Sequence, residues 1–203
     1  EAIRALDVDI LISHLASADE DSAKNAAQAQ AFRAAVAHVP HKRTSLANSA
    51  GLALGEAYAC DLTRPGLALY GGVPRPEMAG HIKQVAHIEA AILQVRELKP
   101  GDSVGYNAEF TATKPIRTAT VSLGYADGFL RARGPGGFML HGEARLPVLG
   151  KVSMDMIVVD CANAPDLRSG DWLSVPFSLP DVARQSSVSQ YELLTTIGNR
   201  LRA

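Results

Sequence analysis

The sequence has little of what marks a specialised class. Only two cysteines, Cys60 and Cys161, occur in 203 residues, and they form no metal or redox spacing. They read as buried thiols in a reducing compartment. No cluster of ligating side chains suggests a metal. Charge is almost balanced at a formal net -1, so neither a nucleic-acid surface nor a polybasic membrane-binding run is expected. No apolar run approaches the ~18 residues that span a bilayer. The longest, residues 154–161, is broken by Asp155 and reads as a buried strand. Nothing at Glu1 reads as a signal peptide, so the expected compartment is the cytoplasm. Repeats and low-complexity tracts are missing too. What remains is a chain 47% hydrophobic, long enough for one large domain or two small ones with a sizeable core.

Two textures follow one another. From residue 1 to about 82, strands and helices alternate. The apolar run 9–13 reads as a buried parallel strand, and the alanine-rich stretch 19–39 as a helix with acidic residues at its start. Residues 44–47 read as a second strand, 49–57 as a helix and 60–64 as a third strand. The alternation predicts a parallel sheet with right-handed crossovers. Past Pro74-Arg75-Pro76 come short strands punctuated by Gly and Pro: 85–98, 117–123, a hairpin over 139–148, 157–161 and 172–175. Two short helices, near 180–185 and 191–199, interrupt them. This second texture predicts a mostly antiparallel domain over 83–203.

The stretch 48–71, NSAGLALGEAYACDLTRPGLALYG, carries most of the chemistry. Asn48-Ser49 stands at a helix start, where unpaired backbone N–H groups face outward. Arg64, at the carboxyl end of a strand before a Pro-Gly turn, adds a permanent cation. Together they suit a phosphorylated aromatic cofactor. Serine at a helix start and Arg-Pro-Gly at a turn are also common structural devices, so the residues alone leave both readings open. His14 likewise reads as a strand-end histidine and Tyr106 as a half-buried strand aromatic.

Six blocks, in order along the chain, resemble the alanine racemases: HLASAD (14–19), the 48–71 stretch, VGYNAEF (104–110), SLGYADGF (122–129), GKVSMD (150–155) and QYELLTTIGNR (190–200). The resemblance implies interconversion of L- and D-alanine on pyridoxal 5'-phosphate, supplying D-alanine for cell-wall peptidoglycan. For the fold it implies α/β plus mostly-β: residues 1–82 as the closing third of a (β/α)8 barrel, and 83–203 as a C-terminal β-domain. A closed barrel takes about 200 residues or more, so the chain reads as a C-terminal portion. None of its six lysines, Lys24, Lys42, Lys83, Lys99, Lys114 and Lys151, lies in the family's V-K-A-N-A-Y-G-H-G setting. The isolated chain is therefore expected to be inactive.

Site residues carry over one by one. Tyr106 matches the family's second base, His14 a histidine that tunes it, and Arg64 the arginine facing the cofactor's pyridine nitrogen. Asn48, Ser49, Gly66, Leu67 and Tyr191 match residues around the phosphate. Met154 matches the residue whose amide meets the substrate carboxylate, and Tyr125 one lining the substrate's way in. The family works as a head-to-tail homodimer, in which Tyr106, Tyr125 and Met154 would serve the partner's site. Two positions depart from the pattern: Gly105-Tyr106-Asn107 replaces Ser-Tyr-Gly, and Ser153 replaces a frequent cysteine. A racemase of another small amino acid such as serine, or a non-catalytic dimerisation module, are the alternatives.

Overall fold

The computed structural model describes residues 6–198, and the chain divides into two compact units, Glu1–Val85 and Ala86–Ala203. In the first, three short strands lie parallel in the order β1 (Ile10–Ile12), β2 (Arg43–Asn48), β3 (Leu62–Arg64). Parallel neighbours need a crossover. The helix α1 (Ala23–Val36) joins β1 to β2, and α2 (Ser49–Ala53) leads from β2 toward β3. Alanine loses no side-chain entropy in a helix, so the run 23–36 winds readily. The face Asn25, Ala29, Phe32, spaced four and three apart, is buried, with Ala29 and Phe32 joining Leu15, Ala18, Leu46 and Ala50 in one core.

Three boundaries differ from the sequence reading. Helix α1 begins after Ser22, whose hydroxyl accepts the Lys24 N–H at 3.3 Å. The acidic residues before it fall outside the first turn, and Asp21 instead pairs with Arg75 at 2.5 Å. The helix read over 49–57 stops at Ala53, because Gly55 takes φ 100, a left-handed backbone that ends the helix. Cys60, with φ 57, lies outside β3 and is exposed rather than buried as expected, while Cys161 is buried.

The second unit is built from β4 (Ile88–Leu98), β5 (Ser103–Val104), β6 (Phe110–Thr111), β7 (Ile116–Val121), β8 (Phe138–His141), β9 (Ala144–Leu149), β10 (Ile157–Asp160) and β11 (Trp172–Val175). Six of these close into an antiparallel barrel, in the order β10-β7-β4-β11-β8-β9, while β5 and β6 pair separately. Closure leaves those six strands without free edges. Ala90, Ile92, Ala119, Val121, Met139, Leu146, Ile157, Val159 and Leu173 fill the interior. On the long β4 a register shift against β7 falls between Ile92 and Gln94. It moves the inward set from Ala90 and Ile92 to Val95, as a bulge does. Helices α3 (Leu179–Ser186) and α4 (Gln190–Thr196) pack through Phe177, Leu179, Val182 and Leu193. The expected end of the last helix, at Asn199, lies outside the described residues. No helix among those described is long and apolar enough to cross a membrane.

Candidate functional site

The first unit gathers its polar residues at the carboxyl ends of its three parallel strands, the edge where α/β sheets hold ligands. His14 follows β1, Asn48 ends β2 and Arg64 ends β3. Arg64 spans all three strands. Its Nη1 donates to Ser45 Oγ at 2.5 Å, and its Nη2 to the carbonyls of Ser13 at 2.7 Å and Leu46 at 3.5 Å. Ser45, fully buried, donates its hydroxyl hydrogen bond to the Leu62 carbonyl at 2.6 Å. The guanidinium is thus held by strand backbone and one buried hydroxyl, not by a carboxylate. The His14 ring is exposed, with Nε2 3.5 Å from Asn48 Nδ2. Among the described residues no hydrogen bond joins that ring to Arg64, which reaches the preceding carbonyl instead.

Asn48 caps α2, its Oδ1 accepting the Gly51 N–H at 2.9 Å. That cap aims Ser49 inward. Ser49 is only 2% exposed, and its Oγ accepts from the N–H of Gly66 at 3.0 Å and of Ala68 at 3.1 Å. Both donors belong to the Pro-Gly turn after Arg64, with Leu67 buried between them. The Ser49 O–H has no acceptor among the described residues. A buried hydroxyl that accepts twice and donates to nothing leaves one proton for a group with free lone pairs. An anionic oxygen fits it.

In the second unit, three of the predicted residues meet at one end of the barrel. Residues 104–106 lie against 150–151: a Cβ on Gly105 would come 3.2 Å from the Lys151 nitrogen, and one on Gly150 2.8 Å from the Val104 oxygen. Residues 124–126 lie against 153–155, with Tyr125 N–H on the Ser153 carbonyl and Ala126 N–H on that of Met154, both at 3.0 Å. Tyr106, Tyr125 and Met154 therefore sit on adjoining loops. Tyr106 is 59% exposed and Met154 is exposed as well. A cleft of about 430 Å³ is lined by Glu109, Phe110, Arg131 and Lys151, next to these loops in the chain. Tyr191 stands exposed on the first turn of α4. The Ser189–Glu192 capping box fixes that turn: Ser189 N–H donates to Glu192 at 2.7 Å, and Glu192 N–H to Ser189 Oγ at 3.1 Å. The Ser189 backbone N–H, more than its side chain, holds the Glu192 carboxyl below its ordinary pKa. The cap thus persists at neutral pH and weakens as pH falls through that lowered value.

The departure at Gly105-Tyr106-Asn107 has a backbone reason. Gly105 takes φ 77, Asn107 φ 64 and Ala108 φ 50. Asparagine is the side chain that tolerates the left-handed region best after glycine, so it can stand where the family pattern has glycine. Three contributors escaped the sequence reading. Ser45 braces Arg64, and Ala68 shares Ser49 with Gly66. Arg131 lies with Cζ 4.7 Å above the Tyr125 ring while its Nε reaches the Val152 carbonyl at 3.2 Å. Its place six residues after Tyr125 gave no signal, because the chain turns back between them.

Comparison with known proteins follows the same division. Residues 1–74 match the family model of the alanine racemase N-terminal domain, and 85–203 that of the alanine racemase C-terminal domain. Alanine racemase of Acidiphilium cryptum is 40% identical over 196 residues, covering 95% of this chain and 55% of its own length. The catabolic alanine racemase of Agrobacterium fabrum is 37% identical over 208 residues, covering 100% of this chain and 54% of its own. Among solved structures, alanine racemase from Bartonella henselae with covalently bound pyridoxal phosphate superposes with a TM-score of 0.81 at 36% identity. It covers 96% of this chain and 55% of its own. The enzyme from Streptomyces coelicolor gives 0.85 at 29%, with the same coverage. The chain spans about half the length of the curated relatives it matches. With the N-terminal family model matched over residues 1–74 and the C-terminal one over 85–203, the chain belongs to the alanine racemase family.

Proposed function

We propose that this chain is the part of a pyridoxal phosphate-dependent alanine racemase that grips the cofactor's phosphate and ring and supplies one of the two bases. The observation that carries this reading is the buried Ser49 hydroxyl, with two backbone N–H groups converging on its oxygen and its own proton unclaimed. When bound, pyridoxal phosphate would acidify the α-hydrogen of alanine. Ser49, Asn48 and the turn at Gly66 and Leu67 would hold the phosphate, with Tyr191 as a further phenolic donor. Arg64, fixed by Ser13, Ser45 and Leu46, would donate to the ring nitrogen without giving up its proton. Tyr106 would take and return the α-proton at its phenolic oxygen, with His14 helping to set its basicity. The Met154 amide would meet the substrate carboxylate, and Tyr125 would line the substrate's way in.

In this reading residues 1–82 are the closing third of a (β/α)8 barrel and 83–203 the C-terminal β-domain. The enzyme is a cytoplasmic head-to-tail homodimer that supplies D-alanine for the cell wall. The names of the relatives favour alanine over serine as substrate.

The test separates the cofactor lysine from the rest. By itself, with pyridoxal phosphate and L-alanine, the chain is expected to give no D-alanine by circular dichroism. Joined to the N-terminal half of the Acidiphilium cryptum enzyme, it is expected to racemise. Turnover by the chain alone would refute the need for a lysine outside it. A folded, cofactor-loaded chimera without turnover would refute the reading as a whole.

Ser49→Ala tests the carrying observation directly. The N–H groups of Gly66 and Ala68 lose their acceptor, a local cost of about 1–3 kcal/mol. In the chimera the dissociation constant for pyridoxal phosphate should rise on the order of 10-fold, about 1.4 kcal/mol. Ser49→Thr, which keeps the hydroxyl, should hold most of the affinity. Equal affinity in Ser49→Ala and the parent would remove Ser49 from the phosphate.

A further inference from the structure

Arg133 has no role in the site described above. It ends the short turn Arg131–Arg133 after Phe129 and is 3% exposed. Its Nη2 donates to the Pro176 carbonyl at 2.5 Å. The guanidinium lies over the Phe129 ring at 4.1 Å and near that of Phe177 at 6.0 Å. Its Nε is buried with no hydrogen-bond partner. No carboxylate pairs with it among the described residues, unlike buried Arg75, which holds Asp21 and Glu77. Burial alone pushes its pKa down to about 10. A buried cation without a counter-charge is costly, so the absence of a protein anion needs a reason.

The guanidinium lines a cleft of about 220 Å³, together with Phe129, Phe138, Pro176, Ser178, Val182 and Gln185. A single water needs only ~10–15 Å³, so the space admits a small organic molecule. The cleft also meets the start of α3. Its capping residue Ser178 makes no side-chain cap bond; Pro180 has no N–H and the Val182 N–H meets the Ser178 carbonyl at 2.9 Å, so the Leu179 and Asp181 N–H groups are the ones left uncapped. Two independent features, the orphaned guanidinium and an uncapped helix start, thus favour negative charge at one place. The walls are apolar, and a guanidinium fork matches a planar carboxylate. The one opposing charge on the lining, Asp181, is engaged by Arg184.

We propose that this cleft is a binding site for the carboxylate of a small apolar acid, with Arg133 as its counter-charge. The site goes beyond the racemase reading and stands without it.

Propionate, titrated into the chain at constant ionic strength, is the probe. The β-rich unit should melt about 3–6 °C higher at ten times the dissociation constant, saturably, and propionamide should have no effect. Phosphate should act more weakly. A phosphate response equal to or above that of propionate overturns the carboxylate assignment, and no saturable response to either overturns the site. Arg133→Gln should weaken propionate at least 10-fold, and tight binding by that variant would refute the role of Arg133. Gln185→Glu is the second variant, since it changes only an exposed residue of α3 whose amide reaches the Arg133 carbonyl at 3.4 Å. It places a carboxylate in the cleft, so it should unfold cooperatively yet lose the propionate response. Undiminished binding in Gln185→Glu would sink the proposal even if Arg133→Gln did not fold.

Discussion

Tyr106→Phe in the racemising chimera is expected to lower kcat/KM for alanine by about 10²–10⁴-fold, the range for loss of a general base. The fold should not notice. Tyr106 is 59% exposed, and its phenol makes no hydrogen bond among the described residues, so removing one oxygen leaves no buried partner stranded. Melting should stay within about 0.5 kcal/mol of the parent. L- and D-alanine have equal free energies, so kcat/KM must fall equally in the two directions. Direction shows up in hydrogen exchange instead. In D2O, the α-hydrogen of L-alanine should exchange as slowly as racemisation proceeds. That of D-alanine, removed from the other face by the lysine, should keep exchanging without inversion. A loss under 10-fold, or equal exchange from both enantiomers, would take the base role away from Tyr106.

That experiment also weighs what the residues alone could say. Arg64 at a strand end and Ser49 at a helix start were legible because each sits at a boundary that local rules locate. The reason Ser49 is unusual was not legible. It depends on Gly66 and Ala68, seventeen and nineteen residues on, folding back to donate to one oxygen. Ser45 was silent for a similar reason. Inside a strand it looks like any alternating polar residue, and only the parallel register of β1, β2 and β3 puts it between Arg64 and Leu62. The Asn48 amide beside the His14 ring was silent as well, since it depends on β1 and β2 ending side by side.

The fold divides along the same line. Parallel pairing in the first unit followed from alternating strands and helices, which leave the chain few other ways to cover both faces of a sheet. Barrel closure in the second unit had no local mark. The link between the two ends of the strand list is the pairing of β9 with β10, whose residues Leu149 and Val158 meet across a loop carrying Lys151 and Met154. Helix ends failed where glycine acted through φ rather than through position, as at Gly55.

Gly124→Ala should be strongly destabilising to the second unit. Gly124 has φ -149 and ψ -169, extended backbone that any residue adopts, so conformation does not require glycine here. Space does. A Cβ would stand 2.1 Å from the Met154 oxygen, 2.3 Å from its carbonyl carbon and 2.5 Å from the Asp155 nitrogen, all of them backbone atoms. No rotamer relieves such a contact. One loop must leave the other, taking with it the hydrogen bonds from Tyr125 to Ser153 and from Ala126 to Met154. Overpacking of this kind costs about 3 kcal/mol or more, which is ~6–12 °C in melting temperature for a chain of this size. Gly142→Ala makes the contrast. Its Cβ would touch nothing within 4 Å, but φ 58 strains it, so about 1 kcal/mol is expected. Catalysis should separate the two further. In the chimera Gly142→Ala should keep the parent's kcat/KM, because the hairpin turn touches no proposed site residue. Gly124→Ala should lose it well below its melting temperature, since Tyr125 and the Met154 amide no longer share one frame. If Gly124→Ala melts within a degree of the parent and turns over normally, the two loops are not in the contact described, and Tyr125 is not positioned by Met154.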